Sequence, residues 1–175
     1  YYVLYVSSFI LYQINLNGLG HQYFWHVSPW WSHHSLAFSI ACVGIFGPLF
    51  TQSFLHTKTH TPLIHKLLGF NAAIATGLAG WSLVAGSYSQ IVIPLLFLTL
   101  STFIMIFISG VANLLRNNRL ARYFLIASIA LIIGGITEAM AAIAWLPSNT
   151  ITSSASLYGF IAFSLLLSFA LADRI

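Results

Sequence analysis

The feature that most constrains this chain is a series of apolar runs, each about 20 residues long, separated by short polar breaks. At 1.5 Å per residue, such a run matches a hydrocarbon core roughly 30 Å thick, and a water-soluble domain has no use for several in series. The sharpest break is Leu115 to Tyr123, Leu-Arg-Asn-Asn-Arg-Leu-Ala-Arg-Tyr, which packs three of the chain's six basic residues between two such runs. Composition agrees: 59% of residues are apolar and 5% charged, whereas about a quarter are charged in soluble domains. The expected fold is all-α, a polytopic transmembrane helix bundle forming a single domain over residues 1–175.

Six spans are predicted, at about 1–17, 35–56, 63–86, 91–114, 123–146 and 154–172. The first ends in the polar group Gln13, Asn15, Asn17 and Gly18. A long loop is expected from Gly18 to His34, with four histidines, Trp25, Trp30, Trp31 and Tyr23 but no Lys or Arg, an aromatic-rich composition typical of a membrane–water interface. The second span should bend or loosen at Gly47-Pro48, where proline removes a backbone hydrogen bond. Pro94 is tolerated in the first turn of the fourth, and Pro147-Ser148-Asn149 stops the fifth.

Threading these spans alternately through a bilayer puts Lys58, Lys66, Arg116, Arg119, Arg122 and Arg174 on one side and no basic residue on the other. That is the positive-inside pattern, so both ends of this stretch are expected in the cytoplasm and the histidine-rich loop outside. Six basic side chains spread over three segments form no continuous phosphate-tracking stripe, so nucleic acid is not an expected partner. Tyr1 lies in an apolar stretch with no initiator Met or cleavage site, which reads as a start with something removed upstream.

Helices in lipid associate through close backbone approach and polar contacts. Candidate seams of small residues are Gly69, Ala73 and Gly77 on the third span, Ala130, Gly134 and Ala142 on the fifth, and Ser164, Ser168 and Ala172 on the sixth. Glu138 shares the fifth span's small-residue face and is the only acidic residue well inside a span. It should therefore face protein, and an ionisable group there is a functional candidate.

His21, His26, His33 and His34 share one loop and are the candidate metal ligands, although their spacing matches no metal motif. On the other side His56, His60 and His65 gather near a helix end, where capping is the simpler role. All seven histidines fall in loops or at helix ends, which does not suit a bis-histidine haem. No lysine sits within a span to hold retinal. Cys42 is the single cysteine, so no disulfide forms within the chain. There is no phosphate-binding glycine loop and no Ser-His-Asp constellation. No enzyme and no cofactor is expected from these residues.

Several stretches resemble one family, the seven-transmembrane receptors with diverse intracellular signalling modules. They are Tyr1-Tyr2-Val3-Leu4-Tyr5, Leu11-Tyr12-Gln13 with Leu16-Asn17-Gly18-Leu19, and Ser28-Pro29-Trp30-Trp31. Further on come Ala121-Arg122-Tyr123-Phe124-Leu125, Leu146-Pro147-Ser148-Asn149, and Ser168 to Ile175. The likeness runs along essentially the whole chain and implies seven spans, of which the first would be missing here. It also implies an extracytoplasmic domain upstream and a cytoplasmic histidine kinase or GGDEF diguanylate cyclase downstream, in a multi-pass protein of the bacterial cytoplasmic (inner) membrane. A homodimer is a further partner to consider besides the bilayer. It carries over no fixed catalytic residues. Tyr12, Gln13, Asn17, Trp30, Trp31 and Glu138 are the expected ligand-binding residues of an outer mouth. The competing reading is a small proton- or ion-coupled transporter subunit using Glu138.

Overall fold

The structure is a computed structural model. It describes the backbone of the chain except residues 26–27, 85–87, 116–118, 143–144, 148 and 173–175. Side chains are described for the same residues except 33, 59–60, 84, 88–92, 96, 119–120, 139, 142, 150, 153 and 171–172. Among the described residues there are helices and no strands.

Six long helices correspond to the six runs: α1 (Tyr2–Leu16), α2 (Pro29–Phe54), α4 (Pro62–Val84), α5 (Tyr88–Leu115), α6 (Arg119–Ala142) and α8 (Ala155–Ala172). Two single-turn helices, α3 (Thr57–His60) and α7 (Thr150–Ser153), sit between them, and Gly20–Phe24 forms a π-helical turn after α1. Segments of α2, α4, α5 and α6 are long and apolar enough to cross a membrane, whereas Tyr2–Leu16 and Ala155–Ala170 are shorter apolar helices.

Several boundaries shift by a few residues, and the start of α2 moves furthest, for a local reason. The loop expected to run to His34 ends at Ser28, because Pro29 occupies the first position of α2, where its missing N–H is no loss and its fixed φ suits the helix. Trp30, Trp31 and His34 are thereby helical. Within α2, Pro48 is buried and the helix continues through it to Phe54, with the Thr51 hydroxyl donating to the Gly47 carbonyl at 2.9 Å. His56, with φ of 47°, makes the left-handed joint between α2 and α3.

The chain forms two compact units, Tyr1–Met105 and Ile106–Ile175, with the division inside α5. In the first unit α2 packs against both α1 and α4. Its core includes Ala37, Ile40, Ala41, Ala79 and Leu95, flanked by Tyr12, Leu36, Ile45 and Leu78. A polar clamp ties α4 to α5: the buried Asn71 donates to Ser101 Oγ at 2.8 Å and accepts from Thr102 Oγ1 at 3.0 Å.

In the second unit α6 packs against α8. Phe124 meets Phe163 edge-on, and Ala121, Ala127, Leu131, Phe160 and Leu167 are buried. A Cβ on Gly134 would lie 2.5 Å from the Ala155 carbonyl oxygen, and one on Gly159 would lie 2.7 Å from that of Ala130. The residue pairs 134/155, 130/159 and 124/163 run in opposite senses, so the two helices are antiparallel.

The other small-residue seams are not where periodicity put them. Ala73 and Gly77 are exposed, and Gly69 is half-buried beside the Gln52 side chain. α4 instead buries Leu68, Ala72, Ala75 and Ala79. On α8, Ser164 is half-buried and Ser168 exposed, while Phe160, Phe163, Leu167 and Ala170 face inward; Ala172 lies outside the described side chains. The inward face thus follows contact with the neighbouring helices and not small-residue spacing: α4 buries a row that is itself mostly alanine, and α8 a row that is mostly large.

Candidate functional site

Polar and aromatic side chains concentrate where the C-terminal end of α1 meets the N-terminal end of α2. The trio Gln13, Asn15 and Asn17 divides by helical geometry, since residues four apart share a face and the one between them does not. Asn17 Nδ2 donates to the Gln13 backbone carbonyl at 2.9 Å and lies 3.4 Å from its side-chain oxygen; Gln13 is buried and Asn17 exposed. Asn15 turns instead to α2, donating to Ser39 Oγ at 2.7 Å and accepting from Ser35 Oγ at 2.9 Å. The Ser39 hydroxyl in turn donates to the Ser35 carbonyl.

The π-helical turn is laid directly on this clamp. Gly20 is buried, and a Cβ there would lie 2.6 Å from Asn15 Oδ1 and 2.9 Å from the Trp25 ring, so only glycine allows the approach. Trp25 meets Trp31 edge-on at 6.3 Å, and its indole nitrogen is buried without a hydrogen-bond partner. Trp31 also packs on Phe38 at 5.6 Å. Trp30 lies against Trp31 at 6.0 Å and stacks on the His34 ring at 4.7 Å, while His34 Nδ1 donates to the Trp30 carbonyl at 2.6 Å.

Of the six expected ligand residues, five lie in this first unit. They form two pairs, Gln13 with Asn17 and Trp30 with Trp31, while Tyr12 is half-buried against the core and edge-on to Phe9 at 5.7 Å. Trp30 is 54% exposed, which leaves much of its ring open to a ligand or to lipid headgroups. Glu138 belongs to the second unit, where its Oε2 accepts the Ser156 backbone N–H at 3.2 Å in the first turn of α8.

The candidate metal ligands have other engagements. His21 Nδ1 and Ser32 Oγ are hydrogen-bonded at 2.8 Å, and His34 is held by Trp30; His26 and the His33 side chain lie outside the described residues. Among the described residues no three His, Cys, Asp or Glu side chains converge on a point. On the other side of the first unit, the His65 ring bonds Thr57 Oγ1 at 3.1 Å and its carbonyl accepts from Gln52 at 2.8 Å. Lys58, Lys66 and Arg122 are exposed; Arg116, Arg174 and the Arg119 side chain lie outside the described residues.

Asn71 and the Ser35/Ser39 partners of Asn15 were not singled out from sequence. The available signal was an uncharged amide within an apolar run, which in lipid requires an interhelical partner. Comparison with known families decides the assignment. The chain matches the family described as 7TM diverse intracellular signalling over residues 1–174. It belongs to that family. Neither a curated protein nor a solved structure matched it. A 7TM diverse intracellular signalling domain is a sensory membrane domain, not catalytic by itself, and this member is a multi-pass membrane protein.

Proposed function

We propose that the chain is the single membrane-embedded sensor and transducer domain of a bacterial receptor. It passes an extracytoplasmic signal to a C-terminal cytoplasmic effector, a histidine kinase or a GGDEF diguanylate cyclase. The observation that carries the proposal is the family match along residues 1–174, and the site chemistry supports it. At one end of the first unit Asn17 and Trp30 offer an exposed amide and an open aromatic face, while Tyr12 and Trp31 are half-buried and Gln13 is buried. That combination suits recognition of a polar ligand or of an upstream sensing domain, not bond-making chemistry.

The ends of the helices complete the argument. All six Lys and Arg residues fall in the α2–α4 and α5–α6 connections, in the adjoining turns or after α8. The positive-inside rule then assigns these regions and both chain ends to the cytoplasm of an inner membrane, and the aromatic end of α1 and α2 to the outside. Binding there biases two packings of the bundle by its differential affinity for them, and about 1–3 kcal/mol of coupling suffices. Glu138 enters as the group joining α6 to the helix that leads out, and its engagement with a backbone amide weighs against a proton carrier.

The test replaces the whole chain, within its receptor, by an unrelated polytopic anchor. The expected result is an effector of normal abundance that no longer responds to its stimulus. Retained regulation would reduce the domain to an anchor. Proton or cation flux through vesicles containing the purified chain, abolished by Glu138→Gln, would instead establish the transporter reading.

A further inference from the structure

The second unit carries an assembly whose parts point the same way. Ala130, Gly134 and Glu138 recur every four residues and share one face of α6. At the first two the backbones of α6 and α8 touch reciprocally: Gly134 lies under the Ala155 carbonyl, and Gly159 lies under that of Ala130. A slide of one helical turn, about 5.4 Å, would move Cβ-bearing residues into gaps that admit only a hydrogen. At the third position the Glu138 carboxylate accepts the Ser156 N–H. Ser156 is the second residue of α8, so the carboxylate meets the N-terminal turn of that helix. A carboxylate there also complements the positive end of the helix dipole.

We infer that Glu138 is the positioning residue of the last helix. It pins the first turn of α8 to α6, so that the antiparallel pair moves as one lever and α8 does not slide along its neighbour. This deepens the receptor reading by naming how displacement reaches the C-terminal end of α8: as a tilt or rotation of the α6–α8 pair. It follows that the carboxylate acts as a hydrogen-bond acceptor, a role an amide oxygen can also fill.

The test uses the chain in lipid nanodiscs with its single cysteine, Cys42, replaced by Ser. Nitroxide labels go at Ile133 and Leu165, both more than half exposed, so that neither label enters the α6–α8 contact. Pulsed electron resonance reads the distance along the pair, and amide exchange reads the first turn of α8. The expected result is one narrow distance distribution with Glu138 or Glu138→Gln. With Glu138→Ala the distribution broadens or splits, and exchange at Ser156 rises about fivefold. A Glu138→Ala chain with unchanged distance and exchange would overturn the inference, and so would a Gln variant as loose as the Ala variant. Gly159→Leu is the second variant: separation of the labels supports the glycine lock, and an unchanged distance refutes it. Because no effector is involved, failure here leaves the receptor proposal standing, and failure of that proposal leaves this result intact.

Discussion

Asn15 shows how a single amide acquires a structural task in lipid. It donates to the Leu11 carbonyl of its own helix, and across to α2 it donates to Ser39 Oγ and accepts from Ser35 Oγ, two hydroxyls one turn apart. Interhelical polar contacts of this kind average about 0.6 kcal/mol and reach about 1.7. Asn15→Leu is therefore expected to destabilise the first unit by about 1–2 kcal/mol, measured by unfolding in mixed micelles, with Ser39→Ala costing less because Ser35 remains. Gly20→Val should cost at least as much, about 1–3 kcal/mol, since the new side chain must displace either Asn15 or the Trp25 ring. An unchanged Gly20→Val midpoint would show that the π-helical turn does not rest on the clamp. At this scale the sequence was only partly legible. The polar trio was visible at the end of the first run, but which member faces α2 depends on where that helix begins. Pro29 starts α2 just before Trp30 and Trp31, so these two residues, expected in a loop, lie in the first turn of a helix.

At the scale of the helices, periodicity identified the runs but not always their inward faces. Gly134 lay on the seam expected for α6 because two backbones must meet there, and only small residues permit that. The Gly69, Ala73 and Gly77 row has the same spacing, yet Ala73 and Gly77 are exposed, while α4 turns Leu68, Ala72, Ala75 and Ala79 inward, a row that is alanine at three of its four positions. Spacing alone cannot separate these cases, whereas neighbouring glycines can. A Cβ on Gly134 would strike the Ala155 carbonyl, and one on Gly135 would meet nothing within 4 Å. Gly134→Leu is expected to lower stability by about 1–3 kcal/mol or more, and Gly135→Leu to be neutral or slightly stabilising through the helix propensity it restores. The same comparison of melting midpoints at Gly77→Leu should give the neutral outcome. Destabilisation there would mean that the exposed face of α4 is covered in the membrane by a further helix or a second copy.

For the whole molecule, the sequence disclosed the architecture through the length of its apolar runs and the family through motifs at their ends, and both were found. The division into two compact units had no sequence signal, because α5 runs unbroken across the boundary and no linker marks it. Orientation in the bilayer is a property of the chain as a whole, set by six basic residues acting together, so it can be tested at two remote points. In the Cys42→Ser background, Lys66→Cys at the start of α4 and Trp145→Cys beyond α6 each give an exposed thiol. A membrane-impermeant maleimide added to intact cells is expected to label Cys at 145 and to spare Cys at 66 until the membrane is opened. The outcome depends on helix count as well as on charge, since α4, α5 and α6 together form an odd number of crossings between the two positions. Labelling of both from outside would mean that one of these helices does not traverse the bilayer. The aromatic end of α1 and α2 would then have to be reassigned before any ligand is sought there.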